Sequence, residues 1–225
     1  MIHAAIFDLD GTLIDTPKAI VTMMTKAMQD IGEKPASETD IRSTIGLPLE
    51  VGISSLLFLP KDHQKVKTCI KRYKELFYEW LVPRASDLVF PGVIEGLQEL
   101  SDKGIRLGVA TAKHNASAKA ILRAANLLSF FDHVAGADDV SRPKPDPEMA
   151  LLVMDMLHST PESSIMIGDT HHDLNMAHGA DMRTIAVTYG VDDFATLNAA
   201  SPTWVADSFS EATKTLLQEA HTLAA

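Results

Sequence analysis

Cysteine, positive charge and long apolar runs are all scarce in this sequence of 225 residues, and each scarcity excludes something. A single cysteine, Cys69, rules out an intrachain disulfide and fits a reducing compartment. No uncharged stretch approaches the ~18 residues that a membrane span requires. The opening Met1-Ile2-His3-Ala4-Ala5-Ile6-Phe7-Asp8 meets an acid too early for a signal peptide, so a cytoplasmic location is expected by elimination. Lysine and arginine number 20 against 30 aspartates and glutamates, a formal net charge of −10. That field repels nucleic acid and anionic membranes, and neither is an expected partner. An anionic ligand would need a local positive site, made by a metal, a lysine or backbone N–H groups.

What is present suits a folded globular chain. Hydrophobic residues make up 46% and charged residues 22%, enough apolar material for a sizeable core. There is no internal repeat and no low-complexity segment. Short apolar runs at 2–7, 105–110, 164–167 and 183–187, with a weaker one at 203–205, read as strands buried on both faces of a parallel sheet. Helical patterns lie between the later ones, at 92–103, 115–125, 147–157 and 171–179. The alternation predicts an α/β doubly wound parallel sheet. Residues 16–83 interrupt it with helix-like stretches at 17–31, 50–58 and 61–81, punctuated by Pro35, Gly46-Leu47-Pro48 and Pro60. A split core of 1–15 and 84–225 with a helical cap at 16–83 is expected, with Val82-Pro83-Arg84 and Phe90-Pro91-Gly92 as the return linker.

The acids follow the strands. Asp8-Leu9-Asp10-Gly11-Thr12 comes directly after the first run. Side chains two apart on an extended segment point the same way, so Asp8 and Asp10 can face one site. Ligands of parallel sheets bind beyond the carboxyl ends of strands, where this pair would sit. Gly168-Asp169-Thr170-His171-His172-Asp173 follows a later run. Asp169 and Asp173 are four apart, on one face if a helix begins there; acids near a helix N-terminus are also simply favourable. Converging carboxylates repel one another, and a hard divalent cation such as magnesium removes that conflict. Lys144, in Arg142-Pro143-Lys144-Pro145, sits in a loop stiffened by prolines and is a candidate fixed positive charge. Thr111 ends a strand; it is either a phosphate-binding hydroxyl or an ordinary helix cap.

Together, Asp8-Leu9-Asp10-Gly11-Thr12, Thr111, Lys144 and Gly168-Asp169 with Asp173 resemble the four ordered motifs of the haloacid dehalogenase superfamily. The resemblance spans the chain. The helical insertion is similar to the cap of the subgroup containing phosphoglycolate phosphatases and β-phosphoglucomutases. It implies a magnesium-dependent phosphatase acting on a small phosphorylated metabolite of the phosphoglycolate type. Asp8 would be the nucleophile and Asp10 the general acid and base. Magnesium would be held by Asp8, Asp169 and the backbone carbonyl of Asp10, with Asp173 acting directly or through water. Thr111, Lys144 and the N–H groups of Leu9 and Ala112 would stabilise the transferring phosphoryl group. The presence of Asp10 argues against dehalogenation. Ile20 stands where phosphomutases of the subgroup usually carry a cap histidine, and Thr111-Ala112-Lys113 looks more like the phosphatase form. A phosphomutase or a pyrophosphatase on the same scaffold is the alternative; a non-catalytic phosphate-binding protein is the different-class one.

Several other residues have two readings. Lys113 and His114-Asn115 can touch substrate or be solvated. Arg42 is the cap residue singled out for a substrate carboxylate or second phosphate. Lys61, Lys65, Lys67, Lys71, Arg72 and Lys74 form either a solvated helix face or an attractive field for an anion. His171-His172 reads as variable loop rather than a metal site. Cys69 and the ten methionines are expected in the core.

Overall fold

This computed structural model describes residues 2–222. Six strands, β1 (Ala4–Phe7), β2 (Arg106–Ala110), β3 (His133–Ala135), β4 (Ser164–Gly168), β5 (Arg183–Val187) and β6 (Trp204–Ala206), form one parallel sheet in the order β3-β2-β1-β4-β5-β6. The four residues of β1 are all buried, as an unbroken apolar run in a sheet covered on both faces must be. Ala5 and Phe7 join one core cluster, and Ala4 and Ile6 join a second on the opposite face. Phe7 stacks on Phe209 with ring centroids 5.7 Å apart and meets Phe131 edge-on at 6.3 Å. Full burial of such a ring is worth about 1.5–3 kcal/mol.

Between β1 and β2 lie α1 (Pro17–Asp30), α2 (Glu38–Arg42), α3 (Leu49–Leu57) and α4 (Gln64–Leu76), then a π-helical turn (Phe77–Leu81), a 3₁₀ segment (Val82–Leu88) and α5 (Val93–Asp102). The later helices are α6 (Asn115–Ala124), α7 (Glu148–Met156), α8 (His171–Gly179), α9 (Phe194–Ala199) and α10 (Phe209–Thr222). Pro17 opens α1, and its buried Ile20, Met23, Met24, Ala27 and Met28 recur at helical spacing. That stripe packs on α4, whose Val66, Cys69, Tyr73 and Leu76 are buried. Cys69 is thus a core residue, and burial pushes its thiol up to about 11, away from nucleophilic use.

The chain leaves the sheet and returns to it side by side. Asp15 N–H donates to the Leu88 carbonyl at 2.7 Å, and Phe90 N–H donates to the Leu13 carbonyl at 3.1 Å. The expected linker at Val82-Pro83-Arg84 is instead the start of the 3₁₀ segment, because Pro83 fits the first turn of a helix, where no N–H is needed.

Candidate active site

Strand order reverses at β1, where β2 departs on one side and β4 on the other. A crevice opens beyond the carboxyl ends of the strands at such a point. Register pairs Phe7 with Val109 and with Ile167. Asp8, Thr111 and Asp169, each one or two residues beyond this row, therefore reach the same end of the sheet. All are buried, as are Asp10, Lys144 and Asp173.

Asp8, Asp169 and Asp173 bring carboxylate oxygens within 4.8 Å of one another. Lys144 lies between two of them: its Nζ is 2.6 Å from Asp8 Oδ1 and also bonds Asp173 Oδ1. Its side chain is wholly shielded from solvent. The Lys144–Pro145 peptide bond is cis. Burial alone would lower the Lys144 ammonium, but Asp173 and Asp8 together raise it, so it stays charged.

Asp169 and Asp173 do not converge through helical periodicity. The helix starts at His171, so Asp169 lies just past the end of β4 while Asp173 is in the first turn of α8. There Asp173 Oδ2 accepts from the Thr170 N–H at 3.0 Å and from its hydroxyl at 2.7 Å, a capping box. Asp173 thus caps the helix through Oδ2 while its Oδ1 meets Lys144.

Asp169 is gripped by groups that spacing did not single out. Its Oδ1 accepts from the Thr12 hydroxyl at 2.7 Å and its Oδ2 from the Val191 N–H at 2.8 Å. Gly11 and Gly190 press their backbones against this carboxylate, and a Cβ at either would overlap it. Gly11 also holds φ at +92°, a region costly for other residues. Gly11→Ala is expected to cost about 1–3 kcal/mol from strain and overlap, read as a lower urea midpoint. An unchanged midpoint would show that the loop relaxes freely.

Asp10 is not one of the acidic trio and has its own partners. Its Oδ2 is 2.6 Å from Lys113 Nζ, and its Oδ1 accepts from the Thr16 hydroxyl. Lys113 Nζ also lies 5.5 Å from the centre of the Phe77 ring, in the π-helical turn. Thr16 was not among the expected site residues, since no motif spacing marks it.

Burial raises Asp8 from 3.8 to about 7; the Lys144 charge opposes this, and Asp173 and Asp10 add to it. Burial, then Asp8 and Asp173, also raise Asp169 well above the usual carboxylate range. The site holds more buried negative charge than its one enclosed lysine balances. Oxygen donors in this excess suit a hard divalent cation.

A cavity of about 80 Å³ opens beside Asp8 and Asp10, bordered by Thr111, Ala112 and Lys113. Thr111 Oγ1 accepts from the Lys113 N–H at 3.3 Å; α6 begins only at Asn115, with His114 as its N-cap. Leu9 is fully buried and does not line the cavity. Arg42 does not line the cavity. The Ile45 N–H donates to the Arg42 carbonyl at 3.0 Å, and this turn carries Thr44 to Leu47 to the wall in its place. Of the basic stretch, Lys65 pairs with Glu33 and Arg72 with Asp30 and Glu75, Lys61, Lys67 and Lys71 are exposed, and Lys74 reaches the cavity. His114 Nε2 meets Glu50 of α3 at 2.8 Å. His171 Nδ1 lies 2.7 Å from Asp192, whose Oδ2 also accepts the His171 N–H.

A six-stranded parallel sheet with acids gathered at its switch point defines a doubly wound α/β fold with a candidate site in that crevice. The model of the family "Haloacid dehalogenase-like hydrolase" matches residues 5–187, and the chain belongs to that family. It is 48% identical over 206 residues to "Probable phosphatase IndB" of Dickeya dadantii, covering 92% of this chain and 90% of that one. It is 30% identical over 213 residues to "Pyrophosphatase PpaX" of Bacillus mycoides, covering 93% and 94%. Among solved structures, a haloacid dehalogenase-like family hydrolase from Streptococcus pneumoniae is 26% identical with a TM-score of 0.78, covering 97% of this chain and 98% of that one. A β-phosphoglucomutase from Clostridium difficile shares the fold, with a TM-score of 0.82 at 23% identity, covering 100% and 99%. Among the described residues no helix is long and apolar enough to cross a membrane.

Proposed function

We propose that this chain is a magnesium-dependent phosphatase that hydrolyses small phosphate monoesters through an aspartyl-phosphate on Asp8. The observation that carries the reading is the buried meeting of Asp8, Asp169 and Asp173 around Lys144, with Asp10 alongside at the mouth of a cavity. Residues 16–83 would act as the cap that covers it, and the cytoplasm would be its compartment.

Asp8 attacks phosphorus with a carboxylate oxygen. The ester P–O bond breaks, and its electron pair leaves on the alcohol oxygen, which takes a proton from Asp10. A water then attacks phosphorus while Asp10 takes its proton. The P–O bond to Asp8 breaks, releasing phosphate and restoring the carboxylate. Lys144 offers a fixed charge to the transferring group, and Asp173 holds that lysine in place. Thr111 and the N–H groups of Leu9 and Ala112 stabilise the phosphoryl oxygens. Asp8, Asp169 and the Asp10 carbonyl would hold magnesium, which supplies charge neutralisation when bound. Lys113 and Thr16 position Asp10.

Ile20 borders the cavity, at the position where the mutases of the subgroup usually carry histidine; an alkyl group there favours hydrolysis over phosphoryl exchange between sugar positions. The pyrophosphatase reading is supported by the Bacillus relatives. Magnesium-dependent phosphate release by the wild type, lost in Asp8→Asn, tests the main reading. Turnover by Asp8→Asn at the wild-type rate would end it.

Metal binding has its own signature in stability. Asp8 is raised from 3.8 to about 7 in the folded chain. The folded state then holds more protons than the unfolded one between these values. Its contribution to stability is full below the lower value and is lost as pH rises through the upper one. A cation that binds the ionised carboxylates should therefore raise the melting temperature more at about pH 8 than at about pH 5. Scanning calorimetry with magnesium against EDTA measures this, and equal shifts at both pH values would contradict it.

A further inference from the structure

The cavity beside Asp8 and Asp10 is walled by Ile20, Met24, Ile45, Leu47, Tyr73 and Phe77. These come from α1, the turn before α3, α4 and the π-helical turn. A group joined to a phosphate held at Asp8 and reaching into this space meets methyl groups and ring carbons.

The basic side chains nearby are engaged or peripheral. Lys144 is enclosed between Asp8 and Asp173. Lys113 pairs with Asp10 at 2.6 Å, and His114 with Glu50 at 2.8 Å. Lys74 borders both the cavity and an outer groove that includes the exposed Lys67 and Lys71, so its charge stands at the mouth. Arg42 is absent from the wall. A carboxylate or second phosphate packed among these apolar side chains would lose its hydration there, and only at Lys74, on the cavity's border, would it meet a basic side chain not already paired with an acid. An alkyl or aryl body would gain from burial against the same wall.

We propose that the substrate is the phosphate monoester of a predominantly apolar alcohol, whose carbon body packs among Ile20, Met24, Ile45, Leu47, Tyr73 and Phe77. This rests on the phosphatase reading above and narrows it to a leaving group. The products are the neutral alcohol, which carries the Asp10 proton on its oxygen, and inorganic phosphate, which carries the oxygen of water.

The test compares kcat/KM of the full chain with magnesium for butyl phosphate, benzyl phosphate, phosphoglycolate and pyrophosphate. The two apolar esters are expected to lead by about 10-fold or more, the discrimination expected when a pocket rejects an unpaired charge. Leaving-group reactivity differs across the panel, so calorimetric binding to Asp8→Asn supplies the second readout. Butyl phosphate should bind that protein more tightly than phosphoglycolate. Leu47→Lys places a cation in the wall and should lower kcat/KM for butyl phosphate while raising it for pyrophosphate. Leu49→Lys, at another half-buried wall position, serves if the first variant does not fold. A wild type that prefers phosphoglycolate or pyrophosphate in both readouts overturns this inference and leaves the phosphatase reading standing. No metal-dependent turnover of any of the four overturns both.

Discussion

Replacing Lys144 by methionine is expected to destabilise the fold by about 3–5 kcal/mol near pH 8 and to abolish turnover, because it removes the one cation enclosed with three buried carboxylates. The lysine Nζ is 2.6 Å from Asp8 and bonds Asp173, and its side chain has no access to water that could replace the lost contacts. Methionine fills similar volume, so the loss is electrostatic rather than a cavity. The sign of its pH dependence follows from the carboxyl groups. Asp8 and Asp169 already sit above their ordinary values, and without Lys144 Asp8 would rise further. Acid then protonates them and relieves the repulsion, so the penalty should shrink towards about pH 5. Urea unfolding in EDTA at the two pH values measures it. A penalty below about 1 kcal/mol at the higher pH would show that the lysine is not the keystone of this cluster.

Asp8→Asn is expected to lower kcat by about 10⁴-fold or more, because an amide is no nucleophile towards phosphorus. Stability should move the other way. Burial is the main reason Asp8 stands at about 7, so holding it ionised near pH 8 costs the metal-free fold free energy. The neutral amide avoids that cost and keeps an oxygen that can accept from Lys144. The variant should therefore melt at a higher temperature than the wild type in EDTA and gain less from magnesium. Acid quenching during turnover of a ³²P-labelled ester should trap label on the wild-type chain and none on the variant. Label retained by Asp8→Asn would move the covalent step to another residue.

Residue spacing displayed the core of this protein clearly in some places and poorly in others. Runs of Val, Ile, Leu and Ala marked five of the six strands, because a strand buried on both faces must be apolar throughout. The sixth, His133–Ala135, is three residues long on the sheet edge and begins with a polar side chain, so it carried no such signal. The long helices were placed within a few residues of their ends. The short α2 and α9 have too few turns to show a period. The final helix, α10, does carry one in Phe209, Ala212 and Leu216. At the site, the motif acids and Lys144 were legible because strand ends and prolines announce them. Thr16, Val191 and Gly190 were not, since each acts through a contact with Asp10 or Asp169 that no local pattern encodes.

Sequence alone determined the chemistry on offer: several acids at strand ends, one lysine between prolines, and too little positive charge to hold a polyanion. These follow from residue types and local periodicity, which are properties of short stretches of chain. Tertiary structure decided the partnerships. It enclosed Lys144 between Asp8 and Asp173, drew Lys113 onto Asp10, turned Arg42 out of the cavity and lined that cavity with alkyl and aromatic groups from distant helices. Charge balance and solvent exclusion depend on which groups meet in space, and only the packed fold fixes that.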